Sequence, residues 1–323
     1  MRRRELLWGL AGLISVTSAA AQSRPRLIGF LGYGSGDAAE LAIHAAFEQR
    51  LRELGWTSAN SRVEYRLPAA NLEKIKKYAA ELIALEPDVI ASMGTPQGLA
   101  LKAGTTSIPI VFFSNTDPVG SGTVSSLAAP GGNITGFQGF EYTYAAKWME
   151  ILKEIASGIT RVALFSNPDT MPQTPRYLEV ARQAGPGLNL GVIGLPIHGP
   201  QDIDPAIASV ASPGTGVVIL PDSSTGGNID AIVAAMSRYA VPAIYSFDFF
   251  PPRGGLVAYS YDQRELATHA AEYVDRILRG ADPAKLPVQT ATKFTLIINL
   301  KTATQLGLQV PNDLLARATQ VIE

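Results

Sequence analysis

Apolar residues in this chain follow two alternating patterns: short unbroken runs, and longer stretches in which they recur at helical spacing. The runs at 26–31, 62–67, 87–93 and 108–113 read as strands. The stretches 38–54 and 72–85 read as helices, with shorter ones opened by Pro96 and by Pro118. Unbroken apolar strands between amphipathic helices predict a parallel sheet covered on both faces. The pattern then restarts. Helices are expected at 148–155, 176–184, 202–210 and 228–239, and strands at 161–165, 190–197, 216–220 and 242–246. Between the two series, residues 129–136 (APGGNITG) have the composition of a turn and linker. Two α/β units of similar plan imply paired lobes rather than one large sheet. A strand at 256–259, a helix at 263–279, a strand at 294–299 and a helix ending near Glu323 are too few for a third domain. They are expected to return and complete each lobe, so that the chain crosses between lobes more than once.

The N-terminus changes where such a protein works. Arg2, Arg3 and Arg4 precede an apolar stretch at 6–16, and Ala19, Ala20 and Ala21 close the segment. This is the layout of a cleaved export signal, residues 1–21, with a hydrophobic part too short to span a bilayer. An uncleaved anchor is the alternative, but no stop-transfer pattern follows. The Arg run also fits a twin-arginine signal, which leaves the export route open. Without residues 1–21, 302 residues remain and the formal charge moves from −1 to −3. That length predicts two domains. The slightly acidic balance argues against nucleic acid or an anionic membrane as the main partner. With no Cys in the chain, disulfides, thiol nucleophiles and lipidation at the cleavage point are all excluded. A soluble periplasmic protein is expected.

Ligands of open α/β sheets bind beyond the carboxyl ends of the strands, so those ends give the candidate site. In the first unit they are 32–36 (GYGSG), 94–96 (GTP) and 114–118 (SNTDP). In the second they are 166–170 (SNPDT), 221–224 (PDSS) and 246–248 (SFD). These loops are rich in hydroxyls and aromatic rings and contain no Lys or Arg. Helix starts at Thr95-Pro96 and Thr116-Asp117 offer N–H groups to a carboxylate. Asp222 or Asp248 could hold an ammonium group, and Tyr33, Phe113, Tyr245 and Phe247 could supply apolar contact. The candidate binding residues are Tyr33, Ser35, Gly94, Thr95, Ser114, Asn115, Thr116, Asp117, Asn167, Asp222, Tyr245 and Asp248. Each has a plainer alternative: Asp117 and Thr95 as helix caps, the two other acids as solvated loop residues, the aromatics as core.

Other chemistry is weakly supported. Residues 34–39 (GSGDAA) fit the relaxed dinucleotide pattern, yet the second strand ends in Arg66-Leu67 and lacks the ribose-binding acid. His44, His198 and His269 are the only histidines, and two of them lie in expected helices. No nucleophile elbow, metalloprotease pair or phosphate loop occurs. No catalytic residue, metal or cofactor is expected.

Several segments then form one recognisable set. They are 28–31 (IGFL), 108–112 (IPIVF), 117–120 (DPVG), 126–136 (SLAAPGGNITG), 254–256 (GGL), 273–280 (YVDRILRG), 286–288 (LPV), 298–303 (INLKTA) and 306–308 (LGL). Together, in order and across essentially the whole mature chain, they resemble the ABC-transporter substrate-binding proteins of the tryptophan/tyrosine-binding-like group. The resemblance implies a type I periplasmic binding protein, α/β, with two Rossmann-like lobes joined by a multi-strand hinge. It implies lobes of 22–136 plus 247–285 and 137–246 plus 286–323. It further implies a non-enzymatic monomer that closes on a small-molecule solute and delivers it to an ABC permease in the inner membrane. By the pattern of that fold, Thr95, Ser114 and Thr116 would sit on a ligand carboxylate. The sequence departs from the group at 257–261 (VAYSY) and in the aromatic loop 247–253 (FDFFPPR), which places a cation near the expected cleft. An aromatic or apolar amino acid is the first expectation. An organic acid without an ammonium group, a receptor for a sensor kinase and an enzyme on the same scaffold are the rivals.

Overall fold

In the computed structural model, residues 24–323 are described, apart from Ser35, Asp37 and Ala70. The export signal and Ser35 therefore lie outside the described residues.

The first unit runs β1 (Arg26–Leu31), α1 (Ala38–Glu53), β2 (Ser61–Arg66), α2 (Leu72–Ala84), β3 (Val89–Met93), α3 (Thr95–Gly104), β4 (Ile110–Asn115) and β5 (Ile134–Gln138). Every residue of β3, β4 and β5 is buried, as expected for central strands covered on both faces. The second unit runs α4 (Tyr144–Ile155), β6 (Arg161–Ser166), α5 (Thr174–Ala184), β7 (Gly191–Pro196), α6 (Ile203–Val210), β8 (Thr215–Ile219), α7 (Ser223–Gly226), α8 (Ile229–Arg238) and β9 (Ala243–Tyr245). The remainder is β10 (Val257–Tyr261), α9 (Gln263–Leu278), β11 (Gln289–Thr290), β12 (Phe294–Asn299), α10 (Leu300–Gln305), α11 (Asn312–Arg317) and β13 (Gln320–Ile322).

Two sheets result. One has the order β11-β5-β4-β3-β1-β2, all parallel; the other has β13-β12-β10-β9-β8-β6-β7, parallel except for the β10–β12 pair. In each the strand order reverses once, between β1 and β3 and between β6 and β8, which opens a crevice at the carboxyl ends. The chain passes between sheets after β5, after β10 and after β11. These crossings are tied together: Ala291 N–H donates to Gln138 O (3.0 Å) and Asp262 N–H to Lys293 O (3.0 Å). The α9 N-cap, Asp262, accepts from the amides of Arg264 and Glu265 and also receives Lys293 Nζ at 3.0 Å. One apolar core runs from Phe30 and Phe137 through Trp148 to Val218 and Ile298, and a second fills the far side of the six-stranded sheet around Leu82 and Ile110.

Four expectations are corrected. No helix follows Pro118: Gly120 and Gly122 fall in what would be its first turns, and Asp117 folds its carboxylate onto Gly120 N–H (2.9 Å) in a tight turn. The Gly-rich stretch at 129–136 is not all linker, because Ile134–Gln138 is a buried strand. The C-terminal helix is instead two short helices, interrupted around Gly307 and Pro311, followed by β13. Finally, β10 hydrogen-bonds in the seven-stranded sheet and β11 in the six-stranded one, opposite to the lobes assigned them from sequence. Single short strands carry too little pattern to reveal which sheet edge they join.

Candidate functional site: the cleft between the strand tips

The carboxyl ends of the two sheets face each other. Tyr33, just past β1, meets Phe247, just past β9, with ring centroids 6.4 Å apart. Gln173, ahead of α5, donates to Thr116 O past β4 at 3.4 Å. Gly139, past β5, lies against the Tyr261 ring at the end of β10 so closely that a Cβ there would sit 2.5 Å from it. A cavity of about 540 Å³ opens between Leu72, Ile75, Thr95 and Leu99 on one side and Asp169, Thr170 and Pro172 on the other.

On the six-stranded side, Glu40 in the first turn of α1 accepts from the amides of Gly34 and Gly36, each at 2.8 Å. The dinucleotide-like loop thus satisfies its own donors and has none of these left for a pyrophosphate. The start of α3 is different. Gly94 adopts a φ of 100°, and Gly98 N–H closes the first turn on Gly94 O (3.1 Å). The amides of Thr95 and Gln97 precede any intrahelical carbonyl and are left without a helical partner. Thr95 Oγ1 accepts from Thr116 N–H at 3.1 Å, joining the β3 and β4 tips.

Backbone strain marks the β4 tip. Ser114 (φ 63°) and Asp117 (φ 43°) are both non-glycine residues in the left-handed region. The twist buries the Ser114 hydroxyl, 8% exposed, with the phenols of Tyr33 and Tyr261 as its hydrogen-bonding neighbours. Burial raises the pKa of both phenols, so they remain neutral. Asn115 turns the other way: its amide packs beside Gly98 on α3, behind the cleft, and neither end is bonded. Asp117 accepts from the Tyr142 hydroxyl as well as from Gly120, so it shapes the loop.

On the seven-stranded side, Asp222 is 2% exposed and bridges the β6/β8 crevice. It accepts from Asn167 N–H (2.8 Å), Ser224 N–H (2.9 Å) and Thr170 Oγ1. Burial pushes its pKa up to about 6, while those three hydrogen bonds work in the opposite direction. Asn167 Oδ1 in turn accepts from Asp169 N–H (2.9 Å).

Thr95 lines the cavity between the lobes, while Tyr33, Gly94, Ser114, Thr116, Asn167 and Asp222 are buried at the strand tips of the two sheets. Three candidates point elsewhere. Tyr245 stacks on Phe250 (4.4 Å) within the core of its own lobe, and Phe247 takes the place expected for it. Asp248 lines a separate cavity against α1. Asn115 sits behind the strand tips. The loop cation Arg253 is bound to Asp230 on α8 (Nε–Oδ1 2.8 Å) rather than near the cleft. Sequence reading also missed Tyr177, Phe140, Tyr142 and Gln173. Tyr177 is wholly buried, with Thr116 as its hydrogen-bonding neighbour and the Tyr142 ring against its own. On α5 it occupies a core-facing position of an amphipathic helix, which gives no sequence signal.

Among the described residues no group of metal-ligating side chains is assembled, and no helix is long and apolar enough to cross a membrane. Comparison with known proteins agrees with the geometry. A tyrosine-binding protein of Clostridioides difficile is 22% identical over 264 residues, covering 81% of this chain and 76% of that protein. A conserved domain protein from Vibrio cholerae superposes with a TM-score of 0.86 at 25% identity, covering 92% of this chain and all of that one. A Streptococcus pneumonia ABC domain in complex with L-Trp superposes with a TM-score of 0.84 at 22% identity, over the same shares. The sequence model of the ABC transporter substrate binding protein family matches residues 33–322, and the chain belongs to that family.

Proposed function

We propose that this protein is the periplasmic, non-enzymatic solute receptor of an ABC importer. It binds one small carboxylate-bearing ligand between its lobes and delivers it to an inner-membrane permease. An amino acid with an aromatic or apolar side chain is the first candidate. The observation that carries this reading is the convergence of strand tips from both sheets on a buried cluster of hydroxyls, Ser114 with the Tyr33 and Tyr261 phenols and Thr116 with Tyr177, among aromatic rings. A bound polar solute would add hydrogen bonds to this cluster, each worth roughly 0.5–1.5 kcal/mol net. In this reading the α3 start, with Thr95, Ser114 and Thr116, receives the carboxylate. Tyr33, Phe140 and Phe247 flank the apolar part. A relative named for tyrosine and a fold neighbour holding L-Trp support the ligand class. Contacts from both lobes make closure depend on the ligand.

One observation favours a second reading, an aromatic acid without an ammonium group. Asp222 already accepts three hydrogen bonds within its own lobe, leaving little capacity for an ammonium. A thermal-shift panel separates the two. L-tyrosine and L-tryptophan are compared with their decarboxylated amines and their deaminated acids. Saturating ligand at a hundredfold excess over Kd is expected to raise Tm by about 5 °C. Response to the amines alone would overturn the carboxylate reading; equal response to the deaminated acids would select the second.

A further inference from the structure

The cavity of about 540 Å³ between the lobes is walled mainly by apolar side chains. Leu72 and Ile75 come from α2, Leu99 and Ala100 from α3, and Pro172 from the opposite lobe. The charged groups at its rim are already engaged. Lys76 Nζ lies 2.9 Å from Glu73, and Asp169 Oδ2 lies 2.8 Å from His198 Nδ1. The wall therefore suits an uncharged, apolar occupant. Two polar residues of the wall tie the cavity to the strand tips. Thr95 begins α3 and accepts from Thr116 N–H at 3.1 Å. Thr170 donates to Asp222 from the other lobe. Asp222 takes two backbone amides besides, so its carboxylate has little capacity left for an ammonium group. The space next to that set of donors is an apolar cavity. Its volume falls in the range, roughly 300–1,000 Å³, that holds most of a small-molecule ligand. Such room exceeds what the amino group of a free amino acid requires.

We propose that the cleft ligand is an N-acylated amino acid whose acyl chain occupies this cavity. The inference rests on the carboxylate reading of the cleft and names the ligand class more narrowly. The carboxylate stays at the start of α3 and the side chain among the aromatic rings. The nitrogen, as an uncharged amide, needs no acidic partner, which matches an Asp222 already saturated. The acyl chain lies between α2 and α3 of one lobe and Pro172 of the other, leaving water for an apolar wall. Both walls meet only when the lobes are together, so the chain favours the closed form.

Calorimetric titration of the mature protein tests this with L-tyrosine, L-tryptophan and their N-acetyl, N-butanoyl and N-hexanoyl derivatives. Affinity is expected to rise about two- to fourfold per added methylene, the gain of a chain that is largely buried. Ala103→Trp, at an exposed position of α3 on the cavity wall, should fill the space and remove the dependence on chain length. Leu99→Asn should flatten it by making the wall polar, and thermal melts check that both variants fold. Free amino acids that bind as tightly as their N-hexanoyl forms would overturn the acyl proposal and leave the carboxylate reading standing. A chain-length dependence unchanged in Ala103→Trp would do the same. Binding by none of these compounds would overturn the proposal together with the choice of an aromatic amino-acid core.

Discussion

Asp222 and Asp248 look alike in the sequence, each an acid just past a strand, and the fold sets them to different work. Asp222 fastens three donors across a crevice. Replacing it with Ala strands two buried backbone amides and a hydroxyl, an expected loss of about 2–4 kcal/mol in urea denaturation. Asp248 has no such donors, and burial pushes its pKa up to about 6. In the unfolded chain an aspartate releases its proton near 3.9. The folded state therefore holds a proton that the unfolded state has lost, and this contribution to stability is full below about pH 4 and disappears as pH rises through about 6. Asn at 248 cannot titrate. The stability of Asp248→Asn relative to the parent should therefore climb between pH 4 and pH 6 and then level off. A difference that stays flat across this range in urea melts would contradict the assignment. At this scale the sequence reveals which residues stand at strand tips, because runs and turns locate them. It does not reveal which way a side chain faces. Tyr245 and Phe247 are two positions apart, yet one packs into its own lobe and the other meets Tyr33, because the chain leaves the strand between them.

Strands were legible wherever burial on both faces made them continuously apolar, as in β1, β3 and β4. β5 was not, because glycine at 136 reads as a turn. Its position in the sheet explains the residue: φ is 151°, and a Cβ would sit 1.8 Å from Phe112 O on the neighbouring strand. Gly136→Ala should therefore cost about 3 kcal/mol or more through overpacking at the β4–β5 pairing. Gly132→Ala is the control. Its φ is 69° with no atom within 4 Å of the added Cβ, so only the conformational penalty of about 1 kcal/mol remains. Equal losses for the two variants in thermal melts would contradict this packing account. The absent helix after Pro118 has the same origin: proline starts a helix only if the following residues continue it, and closely spaced glycines do not.

For the molecule as a whole, two-lobed α/β organisation followed from the repeated strand–helix alternation, whereas the sheet membership of β10 and β11 did not. Edge and crossing strands are placed by contacts far apart in sequence, and periodicity carries no record of those. Phe247 is the clearest handle on lobe closure, since its ring, past β9 of the seven-stranded sheet, meets Tyr33 past β1 and Phe140 past β5, both on the six-stranded side. Phe247→Ala should lower stability by about 3–4 kcal/mol and shift the unliganded protein toward the open form. Small-angle scattering would register this as a larger radius of gyration, and an unchanged profile would mean the ring does not hold the lobes together.

The central claim is that strand tips from both lobes grip one solute. Native mass spectrometry of freshly purified mature protein tests it most directly, with Thr95→Val on one side of the gap and Asn167→Ala on the other. The account predicts one small carboxylate-bearing adduct per chain, lost or sharply reduced in both variants. An adduct that survives either substitution at full occupancy would contradict it.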